Sequence, residues 1–290
     1  MNKTLVSVLA GFGGMLGWGT SDFLANNSSE KIGNIRTFFW SQIAGFCCIV
    51  IFALFSGLSF AIAPMTLLLI TISGIAYGLG YLIFYKAFEV GNVCIVSTTI
   101  NLATIIAMLC AYVFLGQRLT SLQLGAIVLI IIGVILVGLR IEELKNKTVT
   151  LATGVKEAVI ASVIFGTLYW PLNDYILERA HWVTVSLFIK IIALITVFVY
   201  VSLIGRNLSI SKESNKIKIL LFCIGIFEAA AVLSTNVGMM VGDSILVVPI
   251  SSALTVVTIL LAIVFLKEKL SKIQVVGILM TLVGIVMTAL

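Results

Sequence analysis

Residues 115–120 read Leu-Gly-Gln-Arg-Leu-Thr, and residues 266–271 read Leu-Lys-Glu-Lys-Leu-Ser. An offset of 151 aligns these two segments without a gap and also matches Gly133 to Gly284. An offset of 152 matches three residues near the start of each copy, namely Gly14 with Gly166, Trp18 with Trp170 and Asp22 with Asp174. The chain therefore consists of two copies of one unit.

The composition is that of a chain built for lipid. Apolar residues make up 61% of the 290 residues and charged residues only 10%, whereas soluble domains carry about 25% charged residues. The net charge of +6 does not indicate nucleic-acid binding, because Lys and Arg lie singly and form no basic face with aromatic residues. The five cysteines lie inside apolar runs without metal-ligand spacing. We therefore expect no metal and no cofactor.

Ten apolar runs are long enough to cross a bilayer, which takes about 20 residues as a helix. They cover residues 4–25, 35–57, 63–86, 92–115, 121–140, 152–174, 182–204, 216–240, 243–266 and 272–290. We assign residues 1–140 to the first repeat, 141–151 to a charged linker and 152–290 to the second repeat. Pro171 and Pro249 lie inside runs and should kink or break their helices.

Five helices per copy is an odd number, so the second copy must enter the membrane with the opposite orientation. The predicted fold class is therefore an all-α integral membrane protein with ten transmembrane helices, arranged as two inverted five-helix repeats. Such repeats are related by a pseudo-two-fold axis in the membrane plane. Helices 5 and 10 are the most uniformly apolar and are predicted to lie at the periphery, where their glycines would serve packing or homodimer contacts.

The distribution of Lys and Arg predicts the orientation. Fourteen of these residues follow odd-numbered helices, three lie on the opposite side, and Lys190 lies within a run. Because cytoplasmic loops carry the excess of positive charge, both termini are predicted to lie outside the cytoplasm and the 141–151 linker inside.

The paired segments 116–125 and 267–277 carry a further indication. They resemble the G-E-x-L-T-x-x-Q-x-x-G hinge of the EamA-type branch of the drug/metabolite transporter superfamily, and the similarity covers essentially the whole chain. The resemblance implies a ten-helix transporter of amino acids, sugars, nucleotide sugars, amines or other small metabolites. Two features depart from it: Gln117 replaces the usual Glu, and relatives are commonly described with cytoplasmic termini.

Two ionisable side chains lie deep inside predicted helices. Lys190 is nine residues into helix 7 and Glu228 is near the middle of helix 8. Such groups usually face a cavity or a partner. One interpretation is a Lys–Glu pair that only stabilises the bundle. The other is a role in the transport path. We favour it because the repeat aligns Glu228 with Tyr77, and Lys190 with the Trp40–Gln42 region, so neither charge occurs in both copies. A purely structural pair would be expected in both copies. We hypothesise that Glu228 faces the central cavity and binds a cationic group or exchanges a proton.

Further candidates are polar and aromatic side chains at bilayer depth. The candidate solute-binding residues are Glu228, Lys190, Tyr77, Tyr81, Trp18, Asn101, Asn236 and Gln42. The candidate gate residues at the mouth of the pathway are Asp22, Trp170 and Asp174. Each group has a structural alternative: tyrosines and tryptophans often serve packing or interface belts, and a carboxylate at a helix end can bond loop amides.

The predicted function is secondary transport of a small organic metabolite, such as an amino acid, amine or sugar, by alternating access in the cell membrane. No H-E-x-x-H, G-x-S-x-G or other catalytic constellation is present, so an enzyme is not expected. The alternative is a non-transporting membrane scaffold or a component of a lipid-carrier flippase. Expected partners are a small-molecule solute and membrane lipid, not nucleic acid. Coupling to a proton or another ion is left open.

Overall fold

A computed structural model describes residues 3–56, 62–114, 120–138, 152–241, 244–267 and 270–288. The 141–151 linker and the hinge residues 115–119 lie outside these ranges. The helices of the first repeat are α1 (Lys3–Ile32), α2 (Asn34–Ser56), α3 (Pro64–Val90), α4a (Val93–Thr99), α4b (Leu102–Phe114) and α5 (Ser121–Gly138). Those of the second repeat are α6a (Val155–Ile164), α6b (Trp170–Leu177), α7 (Trp182–Ile204), α8 (Asn215–Val241), α9a (Ser244–Ser252), α9b (Leu254–Leu261) and α10 (Lys272–Thr288).

The packing of the helices follows the repeat. Helix α1 packs on α8 and α9, and the corresponding helix α6 packs on α3 and α4. Helix α2 contacts α8 just as α7 contacts α3, and α5 pairs with α10. Five helices, α2, α3, α6, α7 and α8, are individually long and apolar enough to cross a membrane. Every regular element within the described ranges is helical, which confirms the predicted fold class of an all-α membrane protein with ten transmembrane helices in two inverted five-helix repeats.

Glycines allow these helix pairs to approach closely. A Cβ atom on Gly17 of α1 would lie 2.7 Å from the Phe227 carbonyl oxygen of α8. A Cβ atom on Gly74 of α3 would lie 2.7 Å from the Cβ of Ile192 on α7. Small residues at such positions permit the backbone contact that stabilises helix pairs in lipid. These glycines therefore serve packing.

Helices α5 and α10 are held together in the same way, and none of their described residues lines the cavity of about 60 Å³ that lies between the repeats. A Cβ on Gly133 would lie 2.6 Å from the Gly277 carbonyl oxygen, and one on Gly284 would lie 2.5 Å from a side-chain carbon of Ile130. The two helices pack mainly on each other, and they also contact α4 and α9. The predicted peripheral position of both helices agrees with this packing.

Helix α1 is longer than its apolar run predicts. The run ends near residue 25, but the helix continues to Ile32. Its last turns are stabilised by tertiary contacts, including a 2.9 Å hydrogen bond from Asn26 Nδ2 to the Phe88 carbonyl oxygen. Gly33, at φ +86°, then joins α1 to α2 in a single residue, a left-handed conformation that favours glycine. Asp22 consequently lies ten residues before the end of α1, about 15 Å along the axis.

Helices α4 and α9 are each interrupted at matching places. The backbone of α4 tightens between Thr99 and Leu102, where the Ala103 amide bonds the Ile100 carbonyl at 2.9 Å. Helix α9 tightens at Ala253, whose amide bonds the Ile250 carbonyl at 3.2 Å. Both are three-residue hydrogen bonds, which within a helix often mark a functional hinge.

The predicted effects of the two prolines differ in outcome. Pro171 follows a π-helical turn, Phe165–Tyr169, that divides α6, so the predicted departure from α-helix is confirmed there. Helix α9a runs through Pro249, and the break comes four residues later, at Ala253. Since α4 breaks at the corresponding place with Thr98 in the proline position, proline is not needed for the interruption.

Candidate functional site

A cavity of about 60 Å³ lies where α1, α3, α4, α6 and α9 meet. The two helix breaks border it, because Ile100 and Asn101 of α4 and Ser252 and Leu254 of α9 are part of its lining. Unwound segments of this kind line the solute sites of many secondary transporters. The cavity is lined by Trp18, Asp22, Tyr81, Phe84, Ile100, Asn101, Ala103, Thr104, Phe165, Tyr169, Trp170, Ser251, Ser252 and Leu254.

Two hydrogen bonds join the interrupted helices across the repeat axis. Asn101 Nδ2 donates to Thr255 Oγ1 at 2.8 Å, and the hydroxyls of Thr104 and Ser252 lie 2.9 Å apart. The offset of 151 pairs Asn101 with Ser252 and Thr104 with Thr255. Each bond is therefore the repeat equivalent of the other, and the crossing of α4 and α9 lies on the pseudo-two-fold axis.

Aromatic rings form much of the cavity wall. Trp18 of α1 and its repeat equivalent Trp170 of α6 make an edge-to-face contact with ring centroids 5.6 Å apart. Tyr169 lies 5.3 Å from Trp170, and Tyr81 of α3 lies 5.1 Å from Phe165. The rings come from both repeats, so their relative positions depend on how the repeats are oriented.

Asp22 supplies the charge of the cavity. Its side chain lines the cavity, and the residue is only 3% exposed. No hydrogen bond or ion pair joins its carboxylate to any residue in the described part of the chain. Among the described lining residues it is the single carboxylate, and none is lysine, arginine or histidine. Asp22 thus lies in the wall of the site, whereas its apolar run had indicated the end of a helix.

A second polar cluster lies where α2, α3, α7 and α8 meet. Lys190 Nζ is paired with the Glu228 carboxylate and donates to Gln42 Oε1 at 2.5 Å. The Tyr77 hydroxyl also donates to Glu228. Lys190 is 1% exposed and Glu228 0%. A Cβ at Gly45 would lie 3.2 Å from Glu228 Oε2, so glycine leaves room for the carboxylate. We name Gln42, Tyr77, Lys190 and Glu228 the axial cluster.

The axial cluster also obeys the repeat. Helices α3 and α8, both of 27 residues, correspond with offset 151, which pairs Tyr77 with Glu228. Helices α2 and α7, both of 23 residues, correspond with offset 148, which pairs Gln42 with Lys190. Each hydrogen bond in these two pairs joins a residue to its own repeat equivalent. The cluster therefore lies on the pseudo-two-fold axis.

The axial cluster lies behind the cavity wall and is not part of the described lining. Tyr77 connects the two sites, because its ring centroid lies 4.6 Å from that of Tyr81 and 5.1 Å from that of Tyr169, and both of these rings line the cavity. Glu228 therefore contacts Tyr77, which packs against the wall, and does not reach the cavity itself. Its role in solute binding or proton exchange stays a prediction.

The remaining candidates divide between the cavity and other positions. Trp18, Tyr81, Asn101, Asp22 and Trp170 line it. Asn236 instead accepts a 3.0 Å hydrogen bond from Asn173 and donates to Ser186 at 2.8 Å, outside the lining. Asp174 is half-buried, three residues before the end of α6b.

Several lining residues were missed by the reasoning from sequence. The offset of 151 could have indicated the lining residue Ser252, which is the equivalent of Asn101. The same offset could have indicated Thr255, the hydrogen-bond partner of Asn101, as the equivalent of Thr104. No sequence signal indicated Phe84 or Phe165, because an isolated phenylalanine in an apolar run has no distinguishing pattern.

A wider cavity of about 1150 Å³ lies elsewhere, at the end of the bundle. It borders a different face of α3, at Leu79 and Ile83, and charged residues that include Arg36 and Arg206. It shares no lining residue with the central cavity. Its described lining comes from both repeats.

Comparisons with known proteins agree with this architecture. The model of the EamA-like transporter family matches residues 5–139 and 153–290, one match for each repeat. No curated protein matches the sequence. Among the solved structures that match, one described as "Crystal structure of protein" has a TM-score of 0.69 at 16% identity, covering 97% of this chain and 95% of that chain. At this identity the likeness concerns the fold alone.

The family match covers nearly the whole chain, in the two halves that the repeat defines, and it confirms the resemblance drawn from the paired hinge segments. The chain belongs to the EamA-like transporter family of the drug/metabolite transporter superfamily.

Proposed function

We propose that this protein is a secondary transporter that moves a small organic metabolite across the cell membrane by alternating access. The observation that carries the proposal is the cavity at the junction of the inverted repeats, bordered by the breaks in α4 and α9. In transporters of this construction, solutes bind near the midplane at the repeat interface. The family match supports a membrane transporter in general. The cavity supports alternating access through a solute site at the repeat interface.

The contacts across the axis suggest how the site is exposed alternately. The closest helix pairs join the two repeats, α1 with α8 and α9, and α6 with α3 and α4, so each moving bundle contains helices of both repeats. Rocking of one bundle against the other would separate Trp18 from Trp170 and break the Asn101–Thr255 and Thr104–Ser252 hydrogen bonds. Side-chain hydrogen bonds between membrane helices contribute only about 0.6 kcal/mol each on average. The crossing of α4 and α9 is therefore weak enough to open and close repeatedly, while the glycine-mediated helix pairs are suited to move as rigid units.

Glu228 is the proposed site of ion coupling, through proton exchange. Its carboxylate accepts from Tyr77, whose ring contacts two residues of the cavity wall. Proton relays in transporters are commonly built from acids within membrane helices. A solute that displaces Tyr81 or Tyr169 would disturb Tyr77 and, through its hydroxyl, Glu228.

The test begins with a thermal-shift screen of the purified protein against amino acids, amines and sugars, since a ligand that binds only the folded state raises its apparent stability. Uptake of each stabilising solute is then measured in proteoliposomes. Trp18→Ala is expected to abolish saturable uptake. Leu16→Ala is the matched control, because Leu16 lies on the same helix and is 54% exposed. Absence of saturable uptake for all stabilising solutes, or equal loss in both variants, would contradict the proposal.

A further inference from the structure

We propose that the central cavity binds a small organic cation, a protonated amine or a quaternary ammonium group, with Asp22 as its counter-ion. This inference deepens the proposed transport function and rests on it for the assumption that the cavity is a solute site. It differs from the expectation that Asp22 is a gate residue at the mouth of the pathway.

The charge of the cavity is the first argument. An ionised carboxylate removed from water is costly unless it is paired. Asp22 is 3% exposed and has no hydrogen-bond or ion-pair partner among the described residues. In the axial cluster, Lys190 provides Glu228 with a counter-ion from the protein itself. Asp22 has no such counter-ion among the described residues. A cation that enters from outside would supply the missing charge.

The aromatic lining is the second argument, independent of the first. Rings of tryptophan, tyrosine and phenylalanine attract a cation to their faces, and quaternary ammonium groups are typically bound in aromatic surroundings. Six such rings line the same cavity as Asp22, namely Trp18, Tyr81, Phe84, Phe165, Tyr169 and Trp170. They would hold the apolar substituents of an ammonium group while the carboxylate neutralises its charge.

The polar groups of the wall restrict the class further. No lysine, arginine or histidine is among the described lining residues, so a solute carboxylate or phosphate would have no positive partner. This disfavours anions and zwitterions. The indole Nε1–H of Trp18 is buried and has no acceptor within the described part of the chain. A hydroxyl or carbonyl oxygen on the solute could accept from it.

The size of the cavity fits a head group. One water molecule occupies about 10–15 Å³ of cavity volume. The cavity of about 60 Å³ therefore holds roughly four to six water molecules. That space suits a compact ammonium group with a short substituent. Larger bodies would require the α4–α9 crossing to separate.

Three probes test the charge requirement directly: choline, its uncharged isostere 3,3-dimethylbutan-1-ol, and the zwitterion glycine betaine. Binding to the purified full-length protein is measured by intrinsic tryptophan fluorescence, since Trp18 and Trp170 line the cavity. We expect saturable binding of choline and clearly weaker binding of the other two. Equal binding of choline and 3,3-dimethylbutan-1-ol would overturn the proposal, because the carboxylate would then be neutralised by a proton alone.

Variants then assign the binding to Asp22. Removal of one partner of a buried charge pair should weaken choline binding by about 30-fold or more in Asp22→Asn. Asp22→Glu, which keeps the charge, should retain most of the affinity and also serves if Asp22→Asn does not fold. Glu30→Gln is the matched control, because Glu30 is an exposed carboxylate on the same helix. Wild-type affinity in a folded Asp22→Asn, or lost affinity in both Asp22→Asn and Asp22→Glu despite normal folding, would overturn the assignment.

The failure of this inference can be distinguished from failure of the transport function. Choline binding that depends on Asp22, without flux in proteoliposomes, would support the cation site and contradict transport. Saturable flux of an uncharged solute that is unchanged in Asp22→Asn would support transport and contradict the cation site.

Discussion

The pair formed by Lys190 and Glu228 allows a quantitative test of the axial cluster. Both side chains are almost fully buried and are joined to each other, to Gln42 and to Tyr77. Removing one partner of a buried pair leaves the other charge uncompensated, at a cost of about 3–5 kcal/mol. We therefore expect Lys190→Met and Glu228→Gln each to destabilise the protein by that amount, which lowers Tm by roughly 10 °C.

The double variant Lys190→Met/Glu228→Gln removes both charges together. Because replacement of a whole buried pair by neutral side chains is often tolerated, we expect the double variant to regain more than half of the loss. The assay is thermal unfolding of the detergent-solubilised protein, in which the remaining folded fraction is measured by fluorescence-detected size-exclusion chromatography.

Leu203→Ala on α7 is the control for this cycle, since Leu203 is 81% exposed and should change stability by at most about 0.5 kcal/mol. Small single effects that simply add in the double variant would refute the argument. The two side chains would then be solvated or apart.

Three further predictions concern coupling, helix packing and orientation. Glu228→Gln in a folded protein is expected to change the pH dependence of transport and to weaken choline binding far less than Asp22→Asn does, because Glu228 lies behind Tyr77; an unchanged pH profile would make it a packing partner only. Gly17→Ala is expected to destabilise by about 1–3 kcal/mol through the contact of α1 with Phe227, whereas Gly125→Ala, whose nearest neighbour is 3.8 Å away, should be tolerated in the same thermal assay. Asn146→Cys in a cysteine-free background should resist an impermeant thiol reagent in intact cells, and ready labelling from outside would reverse the predicted orientation.

The general architecture was predictable from the sequence because it depends on patterns that sequence displays. The offset of 151, the ten apolar runs and the odd number of helices per copy are sufficient for two inverted repeats. The depth of Asp22 was not predictable in the same way. Asn26 and its neighbours are polar, so hydropathy ends the run before them, yet tertiary hydrogen bonds such as that to Phe88 keep the segment helical.

The composition of the site was only partly predictable. The offset of 151 aligns Tyr77 with Glu228. Helices α2 and α7 correspond with an offset of 148 instead, because the connection that follows α2 is shorter than the one that follows α7. Which equivalents meet on the axis depends on how the helices cross. That geometry placed Glu228 and Lys190 behind the wall and Trp18 and Trp170 in it, a distinction that depth along a helix cannot make.

Alternating access requires that the cavity between the repeats is reached from both sides of the membrane in turn. Ser251 lines the cavity, and its hydroxyl donates a hydrogen bond to the Val248 carbonyl of its own helix. Ser251→Cys in a cysteine-free background should therefore disturb the structure little and report access to the cavity. Sealed vesicles of known orientation are treated with an impermeant methanethiosulfonate on one side or the other. Ser211→Cys, in the exposed loop between α7 and α8, is the one-sided control. We predict that Ser251→Cys is labelled from either side while the vesicles stay sealed. Labelling from one side only, or from neither, would contradict alternating access.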